Sequence, residues 1–429
     1  MTRHADVIVV GGGIAGSATA YYLAKAGAKV VLLEKGTIAG EQSSRAWGFV
    51  RQQGRDPLEL PLALDSVRLC RGLEAELGAD LEWRQGGGLA VAANEAGVAA
   101  YERWIDVARQ HQMPTRILSN KEIRAELKGA EGNWPGAMYT ATDGQAEPAK
   151  VAPAFAEAAR RLGAEVVTAC AVDALDLAGG AVVGVRSEQG EIRAATVVCA
   201  AGAWSSRLLA KAGIAMPQLA IRGTVSRTEP LRALTPAGVW APELAFRQRR
   251  DGTLNIGDGG FFDYDLVPTT LRWARDFLPM WRVFGKHVRF GASGSLLDGL
   301  AALVPGTAAQ RHPFRAVRAL DPPPKAARIA NAQAGLARVY PDVGRVKVTR
   351  SWAGYIDVTP DMMPVLGPVD GVRGLVLATG FSGHGFMLGP AVGNVTAELI
   401  VKGRTTLDIQ PFRLGRFADG TSLGPRPLI

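Results

Sequence analysis

Three glycines, Gly11, Gly13 and Gly16, stand in a G-x-G-x-x-G spacing between an apolar run and a stretch of strong helix formers, and an acid, Glu34, closes the next apolar run. This pattern can hold a dinucleotide. The first glycine makes a tight turn, the second lets backbone N–H groups approach a pyrophosphate, and the third lets helix and strand pack closely. The phosphates then sit on a helix N-terminus, where free N–H groups and the dipole favour anions. An acid at Glu34 can accept hydrogen bonds from a ribose 2′-OH, and it would repel a 2′-phosphate.

The flanking segments read as the elements such a site needs. Asp6–Val10 is a buried parallel strand by its β-branched run, and Lys29–Leu33 is a second. Between them Ser17–Ala26 reads as a helix with an apolar stripe through Ala18, Tyr22 and Ala26, capped by Gly27. Thr196–Trp204 and Gly374–Ala378 read as further strands, the second followed by the glycine-rich turn Phe381–Phe386. A helix is expected from about Met387 to Lys402, with Pro390 in its first turn and Gly403 past its end. Gly88–Ala92 and Gly223–Ile256 carry strand-like alternation. Thr269–Phe284 places Leu271, Trp273, Phe277, Trp281 and Phe284 at helical spacing, a core or interface stripe.

A length of 429 residues points to two or three folding units. The net charge of +9 favours an anionic ligand, substrate or surface. The densest basic cluster is Arg247, Arg249 and Arg250, too sparse for a nucleic-acid partner to be expected. Cys70, Cys170 and Cys199 lie far apart in apolar contexts, without metal or disulfide spacing, which points to the cytoplasm. The first apolar run leads straight into glycines and reads as a strand rather than a signal-peptide core. No uninterrupted apolar stretch reaches roughly 18 residues, so no membrane span is expected; peripheral contact with an inner membrane is compatible with the sequence.

Six short segments, in order, resemble the D-amino-acid oxidase superfamily of FAD-dependent oxidoreductases. They are the fingerprint with Glu34, Ser43-Ser44, Asp143-Gly144 near Pro148, Ala201-Gly202-Ala203-Trp204, Trp352-x-Gly354 with Thr359-Pro360-Asp361, and Gly380 to Phe386. The superfamily includes glycine oxidase, sarcosine oxidase and D-amino-acid dehydrogenase. In motif the chain looks most like β subunits of heteromeric sarcosine or proline dehydrogenases. The resemblance implies an α/β architecture. A discontinuous Rossmann-like FAD-binding domain would come from residues 1–85, 145–215 and 340–429, and a mixed, mostly antiparallel α+β substrate domain from 86–144 and 216–339. It implies noncovalent FAD, since no cysteine stands where monomeric sarcosine oxidase attaches its flavin. The implied cofactor contacts are Gly11, Gly13, Ile14, Ala15 and Gly16, then Glu34 and Lys35, Ser43 and Ser44, Val172 beside the adenine, and Gly202. Gly380 and the turn Gly383-His384-Gly385-Phe386-Met387 would face the flavin.

The implied reaction is oxidation of a C–N bond in an amino or imino acid, or a related secondary amine, by hydride transfer to flavin N5. No acid–base triad is expected. A carboxylate calls for a cationic anchor. The arginine that many D-amino-acid enzymes place two residues after the Gly of W-x-G is absent, since Ile356 stands there. Met387 replaces the lysine of monomeric sarcosine oxidase. Arg51 is the leading substrate contact, with Arg45 and Arg222 behind it; Tyr355 and Tyr264 are candidates for the pocket wall. Gly257–Tyr264 lacks the oxygen-activating lysine of the oxidases, which favours a quinone or partner protein over O2 as acceptor. The alternatives are a subunit of a heteromeric dehydrogenase complex and a tRNA-modifying flavoprotein.

Overall fold

The protein is described here by a computed structural model covering residues 3–291, 299–300 and 304–425. Two large sheets organise it. The parallel core of the first runs in the order Val372–Thr379, Thr196–Cys199, Val7–Val10, Val30–Leu33 and Glu165–Val167. Val198 lies opposite both Val9 and Val376, so a strand near the C-terminus enters the same ladder as the first strands of the chain. The three central strands, Thr196–Cys199, Val7–Val10 and Val30–Leu33, are buried on both faces and are accordingly almost wholly apolar. An antiparallel meander, Val172–Ala178, Ala181–Ser187 and Gly190–Arg193, extends one edge.

The helix Ile14–Lys25 follows the first strand and is buried from Ile14 to Ala24, because the helices Pro148–Arg161 and Gly385–Lys402 pack on it as well as the sheet. A helix walled in this way needs small residues: a Cβ at Gly389 would lie 2.3 Å from Ile14, and one at Gly393 2.5 Å from Ala18.

The second sheet is mostly antiparallel. Its spine pairs Leu219–Pro230 with Val348–Val358, Gly223 facing Gly354. One side continues through Thr253–Gly257, Leu244–Gln248, Gly238–Ala241, Gly88–Val91, Ala137–Thr140 and Thr115–Leu118. The other carries Phe262–Asp265 and the edge strand Val288–Gly291. Parallel pairing occurs at Gly238–Ala241 with Gly88–Val91 and at the edge strand.

Two helix expectations change. The C-terminal helix begins at Gly385, with His384 at its N-cap, so the glycine-rich turn forms its first turn; Gly403 ends it in the left-handed conformation, φ 69°. The aromatic segment breaks at Trp273 into Thr269–Arg272 and Ala274–Phe284. Trp273 and Phe277 are buried under Tyr264, but Leu271 is 84% exposed.

A buried ion pair ties the C-terminal segment to the turn that precedes the last strands. Arg416 donates to both oxygens of Asp361 at 2.8 and 3.0 Å, and to the carbonyls of Phe412 and Met363. Neither side chain reaches solvent. Removing one partner leaves a buried charge without compensation. Arg416→Met should lower stability by about 3–5 kcal/mol, read by denaturant unfolding, whereas an unchanged midpoint would show that the turn holds without it.

Candidate active site

A cleft of about 120 Å³ lies at the C-terminal ends of the parallel strands. Gly11, Gly13, Glu34, Lys35, Ser43, Val172 and Gly202 all line it. Gly11 has φ 107°, and a Cβ there would meet the Ala200 carbonyl oxygen at 2.4 Å. At Gly13 a Cβ would meet only Ser43 Oγ, at 3.1 Å, and at Gly202 nothing at all within 4 Å, so the backbone is bare where a ligand would approach. Ser43 Oγ accepts the Ile14 N–H at 2.9 Å and so caps the helix from outside. Glu34 accepts the Gly12 and Gly36 N–H groups, one on each oxygen, both at 2.7 Å. Burial pushes its pKa up and these two N–H groups pull it back. Each oxygen keeps a lone pair for a ribose hydroxyl.

Other expected contacts serve the cleft indirectly. Ile14 and Ala15 are buried within the helix, and Ser44 donates its hydroxyl to the Glu41 carbonyl. Lys35 pairs with Glu41 at 2.6 Å, lies 4.3 Å over the Trp204 ring and donates to the Val317 and Arg318 carbonyls. It thereby holds a strap, residues 313–321, that crosses the cleft. Phe314 of this strap lines the cleft edge-on to Trp204, with ring centroids 5.8 Å apart. Arg318 pairs with Glu188, Arg315 with Asp173 and Asp321 with Arg45. The sequence held no signal for the strap, because its partners lie more than a hundred positions away.

A second cavity, of about 340 Å³, lies between the two sheets and shares Gln42 with the cleft. Trp47, Phe49 and Trp240 form one wall, with Trp47 and Trp240 stacked at 4.9 Å. Met280, Phe284 and Val288 form another, and Gly383, His384, Phe386 and Met387 line the end at the helix N-terminus. The Trp47–Phe49 stretch is pinned from behind. Arg247 is buried, donates Nε to the Trp47 carbonyl and pairs with Glu147 at 2.8 Å; Arg249 joins the same carboxylate at 2.9 Å. The densest basic cluster of the sequence is thus spent largely on internal ion pairs, with Arg250 bound to Asp80.

Positive charge gathers on the cavity wall. The Arg51 guanidinium lies 5.5 Å from the Trp240 ring. Burial and the neighbouring Arg55 lower its pKa to about 10, which leaves it protonated at neutral pH. Arg55 is buried, and its Nη1 has no hydrogen-bond partner among the described residues. Glu59 is buried against His384, whose Nδ1 lies 2.8 Å from Glu59 Oε1. Burial alone would raise the Glu59 carboxyl, but His384, Arg55 and Arg51 outweigh it and hold it ionised. Burial and Arg55 keep His384 below its usual range, and its Nδ1 stands at hydrogen-bond distance from Glu59. Two arginines thus face two carboxylates, Glu59 and the buried Asp143, whose pKa burial pushes up to about 6. The sequence reading missed Arg55 and Glu59; Arg51, Arg55 and Glu59 recur at four-residue spacing, which was the available signal.

The structure does not bring every candidate here. Tyr264 is fully buried in a cluster with Leu219 and Phe277, and its hydroxyl meets Thr270 at 2.6 Å; it lines neither cavity. Tyr355 lines the nucleotide cleft and donates to Asp265. Arg222 is buried in a pair with that same Asp265 at 2.6 Å. Arg45 lines the second cavity but pairs with Asp321. Gly380, φ 69°, donates its N–H to Asp357 and shapes the turn behind the cavity.

The Rossmann-like sheet, the bare glycine cradle and the adjoining cationic cavity define the class: an oxidoreductase built around a bound dinucleotide. The chain belongs to the DAO family of FAD dependent oxidoreductases, matching it over residues 6–399. It is similar to human mitochondrial sarcosine dehydrogenase, 26% identical over 439 residues, covering 98% of this chain but only 42% of that protein. It is also similar to glycine oxidase from Geobacillus kaustophilus, 28% identical over 426 residues, with 97% and 98% of the two chains covered. Among solved structures, L-amino acid deaminase from Proteus myxofaciens in complex with anthranilate superposes with a TM-score of 0.91 at 28% identity, covering 97% of this chain and 94% of that one. The cofactor of the family is FAD, and the cradle fits it: a diphosphate has open backbone at Gly13 and Gly202, and a ribose has Glu34.

A carboxylate placed at Gly13 would stand where the diphosphate approaches. Gly13→Asp should therefore yield protein without bound flavin, checked by the visible absorbance of the purified variant; retained yellow colour would remove this cleft from the assignment.

Proposed function

We propose that this chain oxidises the C–N bond of an amino or imino acid with an apolar side chain. The observation that carries this reading is Arg51 and Arg55 set in a cavity otherwise walled by Trp47, Phe49, Trp240 and Phe284. An unpartnered guanidinium nitrogen on Arg55 calls for an anionic oxygen, and the aromatic wall calls for an apolar group. Gly11, Gly13, Glu34, Ser43, Val172 and Gly202 would hold the nucleotide end of noncovalently bound FAD, and the turn Gly383–Met387 would face its ring. Bound FAD supplies the hydride acceptor. The protein supplies position. Arg51 and Arg55 take the substrate carboxylate, and the aromatic wall excludes water from the reacting carbon. The free N–H groups of the helix that starts at Gly385 would favour negative charge at the end of the cavity they face. Glu59 fixes the orientation of His384 beside it.

The lack of a lysine in Gly257–Tyr264 supports an acceptor other than O2, and the three buried free cysteines support a cytoplasmic setting. No helix among the described residues is long and apolar enough to cross a membrane. A second reading, a flavoprotein subunit of a larger assembly, is favoured by the short coverage of sarcosine dehydrogenase: the rest of such a protein can reside on a separate chain.

Anaerobic flavin bleaching against a panel of amino, N-alkyl and cyclic imino acids tests the reading. Bleaching by apolar members, with slow recolouring in air, is the expected result; no bleaching by any acid, with flavin bound, would move the weight to the assembly reading. Arg51→Ala should raise KM for the active substrate by roughly one to two orders of magnitude, the loss of a charge-assisted pair of about 1.5–3 kcal/mol. An unchanged KM in steady-state assays would take Arg51 out of the pocket.

A further inference from the structure

The segment that closes one side of the second cavity sets exposed apolar tips among exposed cations on its outer face. In the helix Ala274–Phe284 and the turn before it, Trp273, Phe277 and Met280 are buried. Arg275, Leu278 and Arg282 recur at spacings of three and four on one outward stripe of that helix, and Leu271 stands exposed in the short helix before it. Leu271 is 84% exposed and Leu278 47%. The patch continues across the edge strand Val288–Gly291. Phe290, 56% exposed, lies with its ring centroid 5.2 Å from that of Trp281, and the exposed Leu266 donates its N–H to Gly291.

Cations are interleaved with these apolar tips. Arg272, Arg275, Arg282, Lys286 and Arg289 are all exposed, and none has an ion-pair partner among the described residues. The guanidinium groups of Arg272 and Arg289 lie over the rings of Trp273 and Phe261, 4.7 and 4.5 Å from the centroids. The exposed acid of the helix is Asp276, to one side of the stripe.

We propose that this face docks on an anionic lipid bilayer. Aliphatic and aromatic tips enter the headgroup boundary while arginines and lysine, whose stems can lie along apolar surface, meet lipid phosphates. A nucleic acid would match the charge but leaves Leu271 and Leu278 without a role, and an acidic protein would leave Leu271 with no matching pocket on this surface. The inner side of the same segment, Met280, Phe284 and Val288, lines the cavity, so docking sets the cavity wall against the membrane.

The test uses the flavin-loaded protein and vesicles of phosphatidylcholine with or without phosphatidylglycerol. Sedimentation with the anionic vesicles, weakened by salt and absent with phosphatidylcholine alone, is expected. The double variant Arg275→Glu, Arg282→Glu should weaken it by roughly tenfold or more. Leu271→Ser with Leu278→Ser should weaken vesicle binding while leaving retention on polyuridylate unchanged. Flavin absorbance reports that each variant is folded. Failure of the wild type to sediment with anionic vesicles at low salt overturns the proposal. So does unchanged vesicle binding in the leucine variant, which would mark a site for polyanions of any kind. Amine-driven bleaching reads the catalytic assignment separately, so the two can fail independently.

Discussion

A Cβ at Gly16 would lie 1.9 Å from the carbonyl oxygen of Gly11. That separation is impossible, and much of the molecule rests on it. The helix Ile14–Lys25 can press against the turn that launches it only because both positions lack side chains. Its N-terminus thereby reaches the rim of the sheet, where Ser43 caps it and the nucleotide cleft opens. The helices Pro148–Arg161 and Gly385–Lys402 then pack on its other sides, and the second of these carries the turn at the end of the second cavity. Close approach at one glycine pair thus sets the spacing between the two ends of a cofactor site.

The two cavities divide the electrostatic work. In the cleft, backbone N–H groups and one carboxylate face the ligand, and the lysine nearest by is tied to Glu41. In the cavity, buried guanidinium groups face it directly. Desolvation lowers Arg51, yet not enough to neutralise it, and Glu59 offsets part of the charge while holding His384. On the proposed reading, Arg51 and the unpartnered Arg55 nitrogen orient a carboxylate in an apolar chamber.

The parts legible in the sequence are those written locally. The βαβ unit, the glycine at each turn and the C-terminal cap at Gly403 follow from neighbours within a few positions, and each lies within a few residues of its expected place. The C-terminal helix starts earlier than Pro390 suggested, because a helix tolerates glycine in its first turn when the N-terminus is aimed at a cavity. The aromatic segment breaks at Trp273 because that ring turns under Tyr264, a tertiary demand that helical periodicity does not encode. The same blindness removed Tyr264 from the pocket and hid the Glu59–His384 pair, whose members lie 325 positions apart.

The strand Val372–Thr379 pairs with the much earlier Thr196–Cys199, Leu375 opposite Val197, and the strap at Phe314 lines a cleft begun at Val10. During synthesis the first strands, the helix and the glycine turn leave the ribosome long before either partner exists. Until then the sheet has an open apolar edge beside Thr196–Cys199, and the cleft has no adenine-side wall. Cofactor capture is therefore a late event, coupled to closure of the ladder rather than to formation of the motif. Loss of the last strand would strand the fingerprint in a chain that has every residue for gripping a diphosphate and no surface on which to grip it.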